Sequence, residues 1–296
     1  MRRIMRLAVL VLVVCLLAVP ALAGQQQTLL FGLIPEMNIF KQKQRFKVLG
    51  KYLSKKTDIA IEFTILSRYG NIIDSFTTEK MDGAFFGSFT GALAIERLGV
   101  VPLVRPVNID NTSSYRGYLF VRKGSGIKDI KDMKGKRMAF VDKATTAGYL
   151  FPLAYLREHG VQSLDGFFSR YLFTGSHDAA MYAVMEGKAD IGAAKHSVYD
   201  RIRSEDPKVD KLLTIIAMSP WVPSNGLCVR KDLDPDIRKK LKSVLLAMHK
   251  DPEGMEVLKQ FGALQFIETT AGDYHPVLDM AHKAGIDIKT YNYRNE

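Results

Sequence analysis

Four places in the chain put hydroxyl or imidazole groups where an apolar run of strand length hands over to a helical pattern. FVDKATTAGYLFP (140–152) has a polar turn holding Thr145 and Thr146, followed by Ala147 and Gly148. FTGSHDAAM (173–181) opens its helical pattern with Ser176, His177 and Asp178; FFGSFTGALA (85–94) offers Ser88 and Thr90, and RYGNIID (68–74) offers Tyr69. A helix N-terminus has N–H groups without intrahelical partners and the positive end of the helix dipole, so such junctions suit anions. The threonine hydroxyls and N–H groups can hold an anion's oxygens, Ala147 and Gly148 let it approach closely, and an imidazole can donate to it. Each junction has a plain reading too: Thr145 as an N-cap, Asp178 as a first-turn acid or as an orienting partner of His177. Four such junctions are more than capping requires.

Strands and helices must aim these groups. Leu29 to Ile34 reads as a strand, Gln44 to Lys56 as a helix with Phe46, Leu49 and Leu53 on one face, and Ala60 to Ile65 as a second strand. A helix around 69–79, a strand at 83–86 and a helix at 89–98 complete a βαβαβα series, which predicts a parallel α/β architecture. In open sheets of this kind ligands bind beyond the carboxyl ends of the strands, where the four junctions fall. The glycine-punctuated KGSGIKDIKDMKGK (123–136) reads as a lobe boundary. A second series follows: strand 137–141, helix 148–158, strand 168–173, helix 177–186, strand 190–194. SPWVPSNG (219–226), which holds Trp221, the single tryptophan, then leads into GLCVRKDL, an echo of the earlier YLFVRKGS. The expected organisation is residues 24–123 plus 224–296 as a discontinuous first lobe and 124–223 as the second.

The N-terminus combines Arg2, Arg3 and Arg6, an apolar run from Leu7 to Val19 and Ala21-Leu22-Ala23, the three parts of a secretory signal peptide at 1–23. The run is too short for a membrane span, which needs about 20 residues. Leu12-Val13-Val14 lacks the small residue that a lipidated Cys15 would want before it, so lipid anchoring is not expected. Removal of this segment lowers the formal net charge from +11 to +8 and leaves Cys228 as the sole cysteine, with no intrachain disulfide and a buried, inert thiol as its reading. The bases are interleaved with acids, as in RKDLDPDIRKKLK, and no aromatic-basic motif accompanies them, which argues against nucleic acid and leaves an anionic small ligand. No close-spaced His/Cys/Asp/Glu cluster suggests a metal, and no cofactor motif is present.

These residues resemble a known family, the substrate-binding proteins of phosphate, phosphite and phosphonate ABC transporters. GLIPE, SRYGNIID, DGAFFGSFTGALA, GYLFVRKGSGIKDIKDMKGKRMAFVDKATTAGYLFP, GSHDAAMYAVMEGKADIGAA and VPSNGLCVRKDL carry the resemblance in order, over nearly the whole mature chain. The resemblance implies a two-lobed type II periplasmic-binding-protein fold, each lobe a mixed, mostly parallel sheet flanked by helices. The lobes close over an anion, with Thr145, Thr146 and the Ala147 backbone holding its oxygens, His177 donating to them and Tyr69 closing from the first lobe. Ser88 joins the expected ligand-binding set. Alanine replaces the family's usual serine at 147, and Asn225 stands where aminophosphonate binders have an acid facing the ligand's amine. Lys195 and His196 occupy the other amine-facing segment, so the site suits a compact or more acidic anion.

The expected partners are a small oxyanion and an ABC transporter permease, with the protein a periplasmic monomer. Service to a membrane sensor kinase is an alternative that the same surfaces would permit. A hydrolase built on Ser176, His177 and Asp178 is disfavoured, because adjacent residues on one helical turn project in different directions.

Overall fold

The computed structural model describes residues 27–36 and 39–295; the signal segment and Cys15 lie outside the described residues. Strands β1 (Thr28–Leu33), β2 (Ala60–Ile65), β3 (Gly83–Phe86) and β4 (Val101–Asn108) come first in the chain. They are followed by β5 (Ser114–Tyr115), β6 (Gly117–Arg122), β7 (Arg137–Phe140), β8 (Arg170–Phe173), β9 (Ile191–Lys195) and β10 (Leu213–Met218). The series ends with β11 (Val222–Pro223), β12 (Gly226–Val229) and β13 (Ala263–Glu268). The first sheet has the order β13-β4-β12-β3-β1-β2 and the second β10-β6-β9-β7-β8. In each, a parallel core (β2-β1-β3 and β8-β7-β9) is extended by antiparallel pairs, so both sheets are mixed.

Alternation along the strands decides which face meets which helix. Leu29, Phe31 and Leu33 of β1 pack with Phe46, Leu49 and Leu53 of the helix Ile39–Thr57 in one core. In β3, Phe85 joins that core while its neighbours Ala84 and Phe86 face the opposite way, into a second core. That second core runs without a break from the first sheet through Ile34 and Tyr69 to Phe120, Phe140 and Ala193 of the second. The two sheets therefore pack against one another through a shared core.

The chain crosses between the sheets twice, and β5 and β11 pair where the crossings meet, Tyr115 opposite Val222. This corrects the expected boundary at residue 123. β6 pairs with β9 and β10 in the second sheet, so the first crossing lies between β4 and β6. KGSG reads as a linker because of its glycines, but it is only the turn after β6, where the Ser125 N–H bonds the Arg122 carbonyl at 3.1 Å. The return crossing lies between β10 and β12.

After the helix His275–Lys283, which packs on the helices Ser88–Leu98 and Phe151–Glu158, the C-terminal residues form a strap between the two halves. On the first side, Arg97 donates to the carbonyls of Ile288 (2.7 Å) and Tyr291 (2.6 Å), and the Tyr293 hydroxyl donates to Asp74 at 2.7 Å. On the second, the Tyr291 hydroxyl donates to the Lys143 carbonyl (3.0 Å), while Asn295 accepts from the Lys143 N–H (2.9 Å) and donates to the Asp142 carboxylate (2.8 Å). Asn295→Ala removes two of these hydrogen bonds, one of them to a carboxylate, worth about 2 kcal/mol. The expected drop in Tm is roughly 4–8 °C for a chain of this size. Thermal melts by circular dichroism check this, and a variant melting with the wild type would show that the strap adds no stability.

Candidate functional site

His177 is set by its two neighbours in the fold. The helix His177–Met185 is capped by Ser176, whose hydroxyl accepts the Ala179 N–H at 3.4 Å, and Asp178 accepts the same N–H at 3.0 Å. The helix lies tightly on β9 because Gly192 has no side chain; a Cβ there would stand 2.6 Å from Phe120 and 2.9 Å from Val184. That closeness brings His177 Nδ1 to 3.2 Å from the backbone N–H of Lys195, which donates to it. The ring proton therefore resides on Nε2, and His177 is a neutral donor. Burial, assisted by the Lys195 charge and only partly opposed by Glu36 and Asp178, lowers its pKa to about 4.

The double-threonine turn is built by Asp142. Its carboxylate accepts the Ala144 N–H at 2.8 Å, and its carbonyl accepts both the N–H (2.9 Å) and the hydroxyl (2.6 Å) of Thr145. Thr146–Leu150 then winds as a single π-turn into the helix Phe151–Glu158. The Thr146 and Ala147 N–H groups open this helical run, where no carbonyl one turn back can meet them. The Thr146 hydroxyl is buried without a hydrogen-bond partner.

Six of the seven expected residues, Tyr69, Ser88, Thr145, Thr146, His177 and Asn225, line one small cavity of about 20 Å³ between the sheets. Tyr69 is buried edge-on to the His177 ring at 6.3 Å, and its hydroxyl also has no partner. Burial, with the negative charge of Glu36, pushes the Tyr69 pKa well above its ordinary value, so the phenol remains a donor. Glu36 and Lys195 complete the wall and form an ion pair across the two sheets at 3.2 Å. Burial acts to raise the Glu36 pKa. The charges of Lys195 and Arg45 and hydrogen bonds from Lys195 and Asn225 outweigh it and hold the carboxyl below its ordinary value.

Four expectations change in detail. Thr145 commits its single hydroxyl proton inside the turn, so it can accept from a ligand but not donate to one. The Ser88 hydroxyl donates to the Pro223 carbonyl at 2.6 Å and receives the Tyr115 hydroxyl at 2.9 Å, making it part of the wall. Ala147 does not line the cavity; its side chain packs on Gly117. Gly148 serves packing rather than ligand approach, since a Cβ there would lie 2.4 Å from that of Val141. Glu36 was outside the expected set, although its place just beyond β1 is the position where strand-end ligand groups occur. Ser176 and Asp178 form no relay with His177, whose Nδ1 already accepts from Lys195. Among the described residues no group of His, Cys, Asp and Glu is arranged for a metal ion, and Cys228 is buried with its thiol pushed up to about 12 by burial.

Two mixed sheets joined by paired crossings, with helix N-termini from both sides converging on one cavity, define a type II periplasmic binding protein. The chain belongs to the family of ABC transporter, phosphonate, periplasmic substrate-binding proteins, whose model matches residues 31–274. That span ends before the helix and strap at the C-terminus. A probable ABC transporter phosphite binding protein, PhnD1, of Prochlorococcus marinus (strain MIT 9301) is 27% identical over 265 residues, covering 85% of this chain and 88% of that protein. The phosphate-import protein PhnD of Mycolicibacterium smegmatis is 28% identical over 232 residues, 75% of this chain and 72% of that one. Among solved structures, PhnD1 of Prochlorococcus marinus in complex with methylphosphonate shares the fold with a TM-score of 0.75 at 24% identity, covering 88% of this chain and 98% of that one. A binding protein component of an ABC phosphonate transporter from Pseudomonas aeruginosa has a TM-score of 0.77 at 22% identity, covering 88% and 87%.

The His177 environment has a pH consequence. Its folded pKa, about 4, lies below the ordinary value of 6.5, so the unfolded chain binds the extra proton between those values and the folded state does not. Ligand-free stability should therefore fall as pH drops from 6.5 toward 4, with His177 contributing at most about 1.4 kcal/mol per pH unit. His177→Gln should flatten the stability profile by that amount in denaturant titrations at stepped pH. A slope unchanged in the variant would mean that the histidine is not held neutral.

Proposed function

We propose that the protein captures a compact phosphorus oxyanion, phosphate, phosphite or a short phosphonate, between its two halves and delivers it to the permease of an ABC transporter, without catalysis or cofactor. The observation that carries this reading is a pair of buried hydroxyls without partners, Tyr69 from the first half and Thr146 from the second, on one cavity with the Nε2–H of His177. Leaving a buried polar group unsatisfied costs about 1–3 kcal/mol, a penalty that a ligand rich in acceptors removes. Three donors from different directions suit a tetrahedral anion that offers several oxygens and needs no donor of its own. The relatives named for phosphite and phosphate, and the methylphosphonate complex, support this chemistry. The two sheets act as lobes hinged at β5 and β11, residues 1–23 direct export to the periplasm without a lipid anchor, and the protein works as a monomer that binds no nucleic acid.

A thermal-shift panel tests the ligand class. Phosphite, phosphate and methylphosphonate should stabilise the protein and should change the emission of Trp221, which lies at the return crossing against His196 and Arg116. Stabilisation by amino acids or sugars and by none of the phosphorus oxyanions would overturn the assignment.

The hydroxyls without partners give a sharper test. Tyr69→Phe and Thr146→Val break no hydrogen bond within the protein, so the ligand-free variants should be as stable as the wild type or more so. Each should bind the oxyanion about 10- to 100-fold more weakly, the equivalent of a hydrogen bond to a charged group at about 1.4 kcal/mol per tenfold. Calorimetric titration alongside thermal melts measures both. Undiminished affinity in the two variants would remove these hydroxyls from the site.

A further inference from the structure

We propose that Lys195 is an ammonium group built into the binding site, standing where a ligand's own amine would bind, and that it restricts the protein to oxyanions without a cationic tail. The inference rests on the oxyanion reading above. Its starting point is the carboxylate of Glu36, which lies in the wall of the cavity that Tyr69, Thr146 and His177 also line. Unpaired, that carboxylate would repel an oxyanion and attract an ammonium. It is paired from within the chain: Lys195 Nζ, 3.2 Å away and only 15% exposed, reaches it from the end of β9, with Asn225 as a second hydrogen-bond partner and Arg45 as a second cation nearby.

Lys195 is also held in this position from another direction. Its Nζ lies 4.5 Å from the centre of the Tyr115 ring, a cation–π distance, and Tyr115 is fixed in turn by Ser88. The pair marks the boundary between two spaces. On one side is the 20 Å³ cavity; on the other is a larger cleft of about 780 Å³, and Glu36, His177, Lys195 and Asn225 belong to the walls of both. A substituent growing from a headgroup in the cavity toward the cleft must pass Lys195 and Glu36. An alkylammonium would arrive beside a like charge and find Glu36 already bonded, whereas a hydrogen, a hydroxyl or a methyl group would stop short of the pair. Without the lysine, Glu36 becomes available to an amine on the ligand.

Calorimetric titration with ethylphosphonate and 2-aminoethylphosphonate isolates the ammonium, since the two tails are matched in carbon count. The wild type should favour ethylphosphonate at least tenfold. Lys195→Met should reverse the order by at least tenfold, and adding Glu36→Gln to it should abolish the new preference for the amine. A wild type that prefers the amine, or an order unchanged in Lys195→Met, overturns the proposal. Glu36→Gln alone keeps the side-chain shape and leaves the Lys195 charge uncompensated, so it provides an arm that does not depend on the folding of the lysine variant. It should bind methylphosphonate about tenfold more tightly, and equal or weaker binding counts against the proposal. Methylphosphonate, phosphite and phosphate on the wild type serve as the control. If none binds, the oxyanion reading itself falls and takes this inference with it; if they bind and the tail order fails, only the role of Lys195 falls.

Discussion

The hydrogen bond from the Lys195 backbone N–H to His177 Nδ1 is the contact on which the cavity depends. It fixes the imidazole proton on Nε2, on the far side of the ring from Lys195. It also ties the N-terminus of the helix His177–Met185 to the end of β9, so the strand that supplies Lys195 and the helix that supplies His177 are aligned together. Burying an imidazolium would be expensive without a partner, and a neutral imidazole carries no such penalty. Under the proposed function, the recognition chemistry of the cavity is that of neutral dipoles: a histidine N–H, a phenol, a threonine hydroxyl and the first N–H groups of a helical run.

These donors are divided between the two sheets, so neither half holds them all. Tyr69 precedes the helix Asn71–Thr78 on the first side, while Thr146 and His177 belong to the second. Hydroxyls left without partners cost free energy in this arrangement, and in the proposed function an acceptor placed between them returns it, which is how a ligand would shift an equilibrium between open and closed states. The turn that carries Thr146 is braced from behind by the C-terminal strap. Asn295 holds the Asp142 carboxylate, and the same residue, Asp142, organises the turn through its carboxylate and its carbonyl. The double-threonine turn is thus linked through the strap to Arg97 and Asp74 of the first half.

Charge acts at two scales. The sequence carries an excess of Lys and Arg over Asp and Glu, which favours encounter with anions over long range. In the cavity wall the formal charges of Glu36 and Lys195 instead cancel as an ion pair. A carboxylate beside the proposed anion site is intelligible once its cation is seen to come from the other sheet.

The amino-acid order by itself determined the alternation of strands and helices, the strand-to-helix junctions rich in hydroxyl groups, and the family. All three follow from local periodicity and from short motifs whose residues lie close together in the chain. It brought six of seven candidate residues to one cavity for the same reason: each stands at a strand end, and in a sheet those ends gather on one side. Only the tertiary structure decided which hydroxyls are free. Thr145 and Thr146 are neighbours of identical chemistry, yet one is bonded to Asp142 and the other has no partner. Ser88 is occupied by a carbonyl 135 positions away, and Glu36 meets Lys195 across 159. The lobe boundary was misplaced for a related reason, because glycines mark a turn whether it ends a strand or ends a domain, and only the pairing of β6 with β9 distinguishes the two. A hydrogen bond has one donor proton to give, and where it goes is settled by the long-range packing that brings an acceptor within reach.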